Sequence, residues 1–296
     1  MNGILPLWKP KGMTSHDCVI KIRKLLKTRK VGHTGTLDPE VEGMLPICVG
    51  EATKIVPFLT DTNKTYIATA AIGTATDTED QTGQITENQK VTKRFTDQEI
   101  FRVLANFNGE IVQQVPLYSA VKVNGKKLYE YARSNEPVER PKRKVRIHQL
   151  NFLETTYSEQ DGTQEISFEV TCSKGTYVRT LCVDIARQLG YPGHMASLVR
   201  TRSGHFSTDD SITFDQLEEQ LENIKLLPIR EGVVHLDVIN VKEEERQKIL
   251  NGQKLPLPDN LPKTEFFRME YHDELLAVYH LHDNQQQIKP ARVFVK

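Results

Sequence analysis

Ile166, Phe168, Val170 and Cys172 alternate with Ser167, Glu169 and Thr171, a period of two that suits a strand burying one face. After the turn SKGTY, Val178, Leu181, Cys182, Ile185 and Leu189 recur at helical spacing until Gly190 and Pro192 stop the run. Other elements follow without regular βαβ order. KTYIATAAIG (residues 64 to 73) reads as a strand, and the polar TATDTEDQTGQ after it as a loop. Thr96 and Glu99 form a capping box ahead of Ile100, Val103, Leu104 and Phe107, with Gly109 closing that helix. Thr213 and Gln216 cap a further, acidic helix. Strands and helices mixed in this way predict an α+β fold rather than a doubly wound parallel sheet.

The 296 residues suffice for a main domain with a smaller companion. After Leu236 the chain restarts with a short strand, the helix EEERQKIL, an Asn-Gly turn and two strand-like runs ending at Val295. The expected division is therefore 1–236 and 237–296. No apolar run approaches the roughly 18 residues of a membrane span. MNGILPLWKPKG interrupts its apolar start with Pro6, Lys9, Pro10 and Lys11, which argues against export. Cys18, Cys48, Cys172 and Cys182 form no CxxC pair and sit in apolar surroundings, so free buried thiols in a reducing cytoplasm are expected, not disulfides or zinc. His280 and His282 have no third ligand and read as surface residues.

A net charge of zero conceals strong local fields. KIRKLLKTRK (residues 21 to 30) holds six basic and no acidic residues, and Lys122 to Arg146 holds nine basic against three acidic. Asp209 to Glu245 reverses this, with eleven acidic against three basic. A single charge run is usually a solvated face. Two basic runs flanking unusual motifs point instead to a polyanion site, because phosphates respond to local field. The first run lies on an amphipathic helix, with N-caps offered by Thr14 and Ser15 and an apolar face of Val19, Ile22 and Leu26. The second lies in an irregular basic excursion with a short helix near LYEYAR.

That first helix runs into KVGHTGTLDPEVEGMLPICVGEATK, where GHTGTLDP spends two glycines, two threonines, His33 and Asp38 on eight residues. It has neither phosphate-loop nor dinucleotide spacing. Asp-Pro commonly begins a turn, and taken locally Asp38 reads as a turn residue. His33 and the threonines between glycines beside a basic helix leave a second reading open, a carboxylate displayed on a loop that a ligand approaches closely. Tyr177 and Arg179 sit at the strand-to-helix junction CSKGTYVRTL, where Arg179 either pairs structurally with an acid or keeps a catalytic carboxylate ionised. Tyr66 reads as core or as a platform for a nucleobase. Lys9 and Pro10 in WKPKG read as a rigid turn.

Four blocks together, GILPLWKPKGMTSHDCV, KVGHTGTLDPEVEGMLPICVGEATK, PLYSAVKVNGKKLYEYAR and CSKGTYVRTLCVDIARQLG, followed by SLVRTRSG, resemble the TruB family of bacterial tRNA pseudouridine synthases in order and spacing. The resemblance spans roughly residues 3 to 230, and Val41 stands where the family usually has alanine. It implies a mixed, mainly antiparallel central sheet flanked by helices, with a catalytic cleft and a mobile basic thumb near 117–147. The tail is similar, loosely, to the family's small PUA-like RNA-binding domain.

The resemblance further implies that Asp38 is the catalytic aspartate, Arg179 its partner and Tyr66 the residue stacked on the target base. It implies an apolar pocket at Leu198, a T-loop support at His33 and substrate contact near Tyr177, with Lys9 and Pro10 buttressing the site. The partner it implies is the T arm of tRNA, with no membrane and no obligate protein partner. The implied reaction isomerises uridine 55: the C1′–N1 bond breaks, the base rotates, and C5 bonds to C1′. Nothing is added or lost, so neither cofactor nor metal is called for. Asp38 attacks C1′ or C6, or takes a sugar proton to give a glycal. Two rivals stand beside it. One is a tRNA-folding chaperone on the same scaffold. The other is a nucleoside hydrolase or glycosidase, which usually needs a metal or a second carboxylate, for which Glu40 and Glu42 are the nearby candidates.

Overall fold

The computed structural model describes residues 1–294, and the chain divides into two compact units, each assembled from separated segments. The first comprises Met1–Glu40, Met44–Thr62 and the chain from Asp209 onward; the second comprises Val41–Gly43 and Asn63–Thr208. The fold is α+β, as expected.

The second unit is built on a sheet whose strands lie in the order Gly193–Ser203, Lys64–Ile72, Thr163–Cys172, Lys142–Ser158, Gly109–Gln114, each antiparallel to its neighbour. Glu42 and Gly43 add a short parallel pairing with Val199 and Arg200. The alternation read in the sequence sets the faces: Ile166, Phe168, Val170 and Cys172 are all buried. The helix Val178–Gln188 covers the strands Lys64–Ile72 and Gly193–Ser203, and buries Val178, Leu181, Cys182 and Ile185. Gly43 has a φ of +122°, and a Cβ there would lie 2.2 Å from the Arg200 carbonyl oxygen, so only glycine lets these strands meet.

Three local expectations are corrected here. The helix capped by Thr96 and Glu99 spans Asp97–Ala105 and ends at Asn106; Gly109, with φ +99°, instead starts the strand Gly109–Gln114. Within TATDTEDQTGQ, Thr74–Thr76 pairs with Ile85–Asn88, so this polar stretch is the arm and tip of a hairpin. The basic excursion contains the expected short helix, Leu128–Ser134, but from Lys142 it is already part of the strand Lys142–Ser158. Val145 and Ile147 point inward there, while Lys142, Arg143, Lys144 and Arg146 occupy exposed positions that disguise the alternation.

In the first unit, the helix Ser15–Leu25 is capped by Thr14, whose side chain and that of Asp17 form a capping box. Its buried Cys18, Val19 and Ile22 share a core with Leu5, Leu7, Val31, Leu45, Ile47, Val49, Phe214 and Leu217. The expected cap at Thr213 and Gln216 starts the helix Phe214–Glu219, which Lys21 reaches through Glu218 at 2.9 Å and over the Phe214 ring at 4.3 Å. From Asp237 the chain forms a five-stranded sheet among the described residues, with the helix Glu243–Leu250 and a core of its own around Ile249, Phe267, Leu276 and Tyr279. Val295, the expected end of the last strand, lies outside the described residues. Arg230 to Glu270 at 3.0 Å, Lys54 Nζ to the Val293 carbonyl at 2.8 Å, and a tilted ring contact of Phe58 with Phe266 join this sheet to the body of the unit. All four cysteines are free and buried; burial pushes the Cys172 thiol up to about 11 and Cys48 up to about 12.

Candidate catalytic site

The loop carrying Asp38 is fixed on both sides of that residue. On one side, Leu37 donates its N–H to Ser15 Oγ at 2.9 Å, and the same hydroxyl donates to the Leu37 carbonyl at 3.2 Å. On the other, the Pro39 carbonyl accepts from Lys9 Nζ at 3.1 Å and from the Gly12 N–H at 2.9 Å. Lys9 is fully buried, and its ammonium also donates to the Pro10 carbonyl at 2.9 Å. A buried cation is tolerated only with such partners, so the WKPKGMTS segment acts as a brace for the loop. Gly35 at φ +72° turns the chain, and Thr34 is anchored by its N–H to the Pro46 carbonyl at 3.1 Å. His33 ends the short strand Val31–His33 opposite Ile47 and is half-buried. Asp38 itself is partly exposed, between these two anchors. Turn and display are thus compatible readings of Asp-Pro, since the turn is what presents the carboxylate.

The second unit carries the other expected residues. Tyr66 lies on the strand Lys64–Ile72 with Val170 directly opposite on one side and Arg200 on the other. Leu198 stands opposite Ala68, which places Leu198 and Tyr66 as diagonal neighbours on one face. Leu198 is 8% exposed, an apolar wall, and Tyr66 is half-buried. Tyr177 precedes the helix Val178–Gln188, and Gln113 holds its backbone twice: Oε1 accepts the Tyr177 N–H at 2.9 Å, and Nε2 donates to its carbonyl at 3.1 Å.

Arg179 is buried in the first turn of that helix. Its Nη1 donates to the Thr78 carbonyl and its Nη2 to the Tyr118 carbonyl, both at 3.0 Å, and Asp80 Oδ2 lies 3.8 Å from Nη1. Asp80 Oδ1 accepts from Thr78 Oγ1 at 2.7 Å, from the Thr82 N–H at 2.9 Å and from Thr82 Oγ1 at 2.6 Å. The guanidinium is therefore held in one plane by two carbonyls and a rigid acidic turn.

Gln113, Thr78, Asp80 and Tyr118 support these residues without standing out in the sequence, and Ser15 reads there only as a helix cap. For Asp80 a signal existed: an aspartate with threonines two residues away on both sides and Gly83 beyond is Asx-turn chemistry. For Thr78 and Tyr118 none did, because they act through backbone carbonyls. Among the described residues no group of three or more His, Cys, Asp or Glu side chains is arranged for a metal ion.

Two family models match the chain: TruB family pseudouridylate synthase (N terminal domain) over residues 23–178, and tRNA pseudouridylate synthase B C-terminal domain over residues 179–231. The chain is similar to tRNA pseudouridine synthase B of Oceanobacillus iheyensis, with 55% identity across 99% of this chain and 98% of that protein. It is 48% identical to the protein of the same name from Bacillus subtilis, across 100% of this chain and 98% of the relative. Among solved structures, a chain in a Cbf5-Nop10-Gar1 complex superposes with a TM-score of 0.74 at 27% identity, covering 99% of this chain and 84% of that one. A chain in an H/ACA RNP bound to a substrate RNA containing 2′-deoxyuridine gives the same TM-score, 0.74, at 24% identity, over 99% of this chain and 85% of that one, a likeness of fold.

Proposed function

The chain belongs to the TruB family of pseudouridylate synthases and is an isomerase that converts uridine to pseudouridine in tRNA; from that premise we propose that its target is uridine 55 of the T loop and that Asp38 is the catalytic carboxylate. The observation that carries this reading is the two-sided bracing of Asp38, by Ser15 at Leu37 and by Lys9 and Gly12 at Pro39. A carboxylate that must meet one carbon of an extruded nucleotide needs a fixed backbone.

The target base leaves its stack first, at a cost of a few kcal/mol. Contacts of the basic helix and of the excursion near 117–147 to phosphates offset that cost. Tyr66 stacks on the extruded base, Leu198 excludes water that would otherwise capture C1′ once the glycosidic bond breaks, and His33 and Tyr177 support the RNA around it. Arg179, its plane set by Thr78 and Tyr118, is the basic partner of Asp38 in this reading. Asp38 then attacks C1′ or C6, or removes a sugar proton; each route ends with C5 bonded to C1′, the C5 proton released to solvent and a proton taken up at N1, so the net formula is unchanged. In this reading residues 1–236 are the catalytic domain, 237–296 is a PUA-like module gripping the same tRNA, and the enzyme works in the cytoplasm without a protein partner. Help with tRNA folding is a second use of the same binding surfaces.

Chemical mapping of pseudouridine in total RNA from cells with and without the protein tests the substrate. Loss confined to position 55 of tRNAs supports the proposal. Retention there, with loss elsewhere, refutes it.

A further inference from the structure

Thr78, Glu79 and Asp80 follow one another at the hairpin tip beyond Thr74–Thr76, and while the outer two face Arg179, Glu79 reaches elsewhere. Its Oε2 accepts from Thr180 Oγ1 at 2.7 Å, and its Oε1 pairs with Arg140 Nη1 at 3.1 Å. Arg140 Nη2 then donates to Gln114 Oε1 at 3.0 Å. The Glu79 and Arg140 side chains are 15% and 28% exposed, so solvent screens this pair less than an ordinary surface pair.

Glu79 also has a φ of +64°, in the left-handed region that long side chains seldom enter. The surroundings hold it there: its carbonyl accepts the Met195 N–H at 3.0 Å, and the Gln81 N–H donates back to the Met195 carbonyl at 3.1 Å. Strain held in place by neighbours on several sides marks a position whose geometry is used.

The partners of Glu79 lie at informative places. Arg140 sits where the basic excursion returns to the sheet, just before the strand Lys142–Ser158. Tyr118 sits where the excursion begins, and its carbonyl already accepts from Arg179 at 3.0 Å. Entry is tied to Arg179 directly; exit is tied, through Glu79, to Thr180 beside it. The Glu79 charge is felt along that helix as well: burial raises the Asp184 carboxyl to about 6, with Arg187 opposing and Glu79 adding to the rise.

We propose that Glu79 is a positioning residue that couples the stance of the basic excursion to the set of Arg179, through Arg140 on one side and Thr180 on the other. Arg140 and Thr180 hold Glu79 between the returning end of the excursion and the helix turn carrying the guanidinium, so the placement of one is passed to the other. The inference rests on the reading that Arg179 acts in the conversion.

The test uses the full chain, unmodified tRNA labelled with tritium at C5 of uridine, enzyme in saturating excess, and release of tritium in a single turnover. Glu79→Gln and Arg140→Gln are each expected to slow conversion about tenfold while tRNA affinity changes by less than about threefold and the melting temperature holds. The double variant is expected to be no slower than the slower single one, because both break the same link. Arg140→Lys, which keeps the charge, recovers most of the rate. Thr180→Val, which removes only the hydroxyl, slows conversion as well and serves if Glu79→Gln folds poorly. A normal rate in Thr180→Val or in folded Glu79→Gln, a loss confined to tRNA affinity, or multiplied losses in the double variant would overturn the coupling. Arg179→Lys in the same assay separates the premise: a normal rate there removes the role of Arg179 itself, whereas a slow Arg179→Lys beside a normal Glu79→Gln refutes only the link.

Discussion

Ser15 Oγ both accepts the N–H of Leu37 and donates to its carbonyl, at 2.9 and 3.2 Å, so one buried hydroxyl satisfies both backbone groups of the residue before Asp38. Ser15→Ala leaves those groups without it, at a cost of about 1–3 kcal/mol. The expected outcome is a lowered melting temperature together with slower conversion, read by calorimetry and tritium release. Ser15→Thr keeps the hydroxyl and is expected to retain more of both.

Lys9→Met removes the donor to Pro39 while keeping the apolar stem, and the Gly12 N–H still serves that carbonyl. Conversion is expected to fall by roughly tenfold or more, as the carboxylate loses its placement. Affinity for tRNA, measured by filter binding, stays near that of the parent.

Gly43→Ala forces a Cβ to within 2.2 Å of the Arg200 carbonyl oxygen at a φ of +122°. Backbone cannot yield as a side chain would, so a loss of more than about 3 kcal/mol is expected. Denaturant unfolding, or failure to accumulate as folded protein, checks it.

Asp184 gives a pH signature. Burial raises its carboxyl from the ordinary 3.8 to about 6, against the pull of Arg187. The folded chain therefore holds this proton more tightly than the unfolded chain does. The resulting stabilisation is complete below about pH 4 and is lost as pH rises through about 6. Asp184→Asn is expected to raise stability above pH 6 by about 1 kcal/mol, after allowing for its partial exposure, and to change nothing below pH 4. Melting curves across this range decide the matter.

Local chemistry made much of the fold legible. The capping boxes at Thr96 and Thr213 and the alternation from Ile166 to Cys172 involve only neighbours in sequence, and each stands where the pattern put it. What stayed hidden depends on distant partners. Lys142 to Arg146 is a strand because Gly109–Gln114 pairs with it, and four basic residues masked its buried Val145. Ser15 has the look of a cap and is instead the clamp of a loop 22 residues away. The plane of Arg179 is set by the carbonyls of Thr78 and Tyr118, groups that every residue carries and no motif can mark.

The central claim is that Asp38 performs the chemistry and the braces around it only place it. Asp38→Asn keeps size and shape and removes the charge, so tritium release from 5-labelled uridine in tRNA, measured alongside tRNA binding, tests it most directly. Binding retained with release abolished is the predicted result. Release at a near-normal rate from the Asn variant would contradict the claim and leave the loop with a structural role alone.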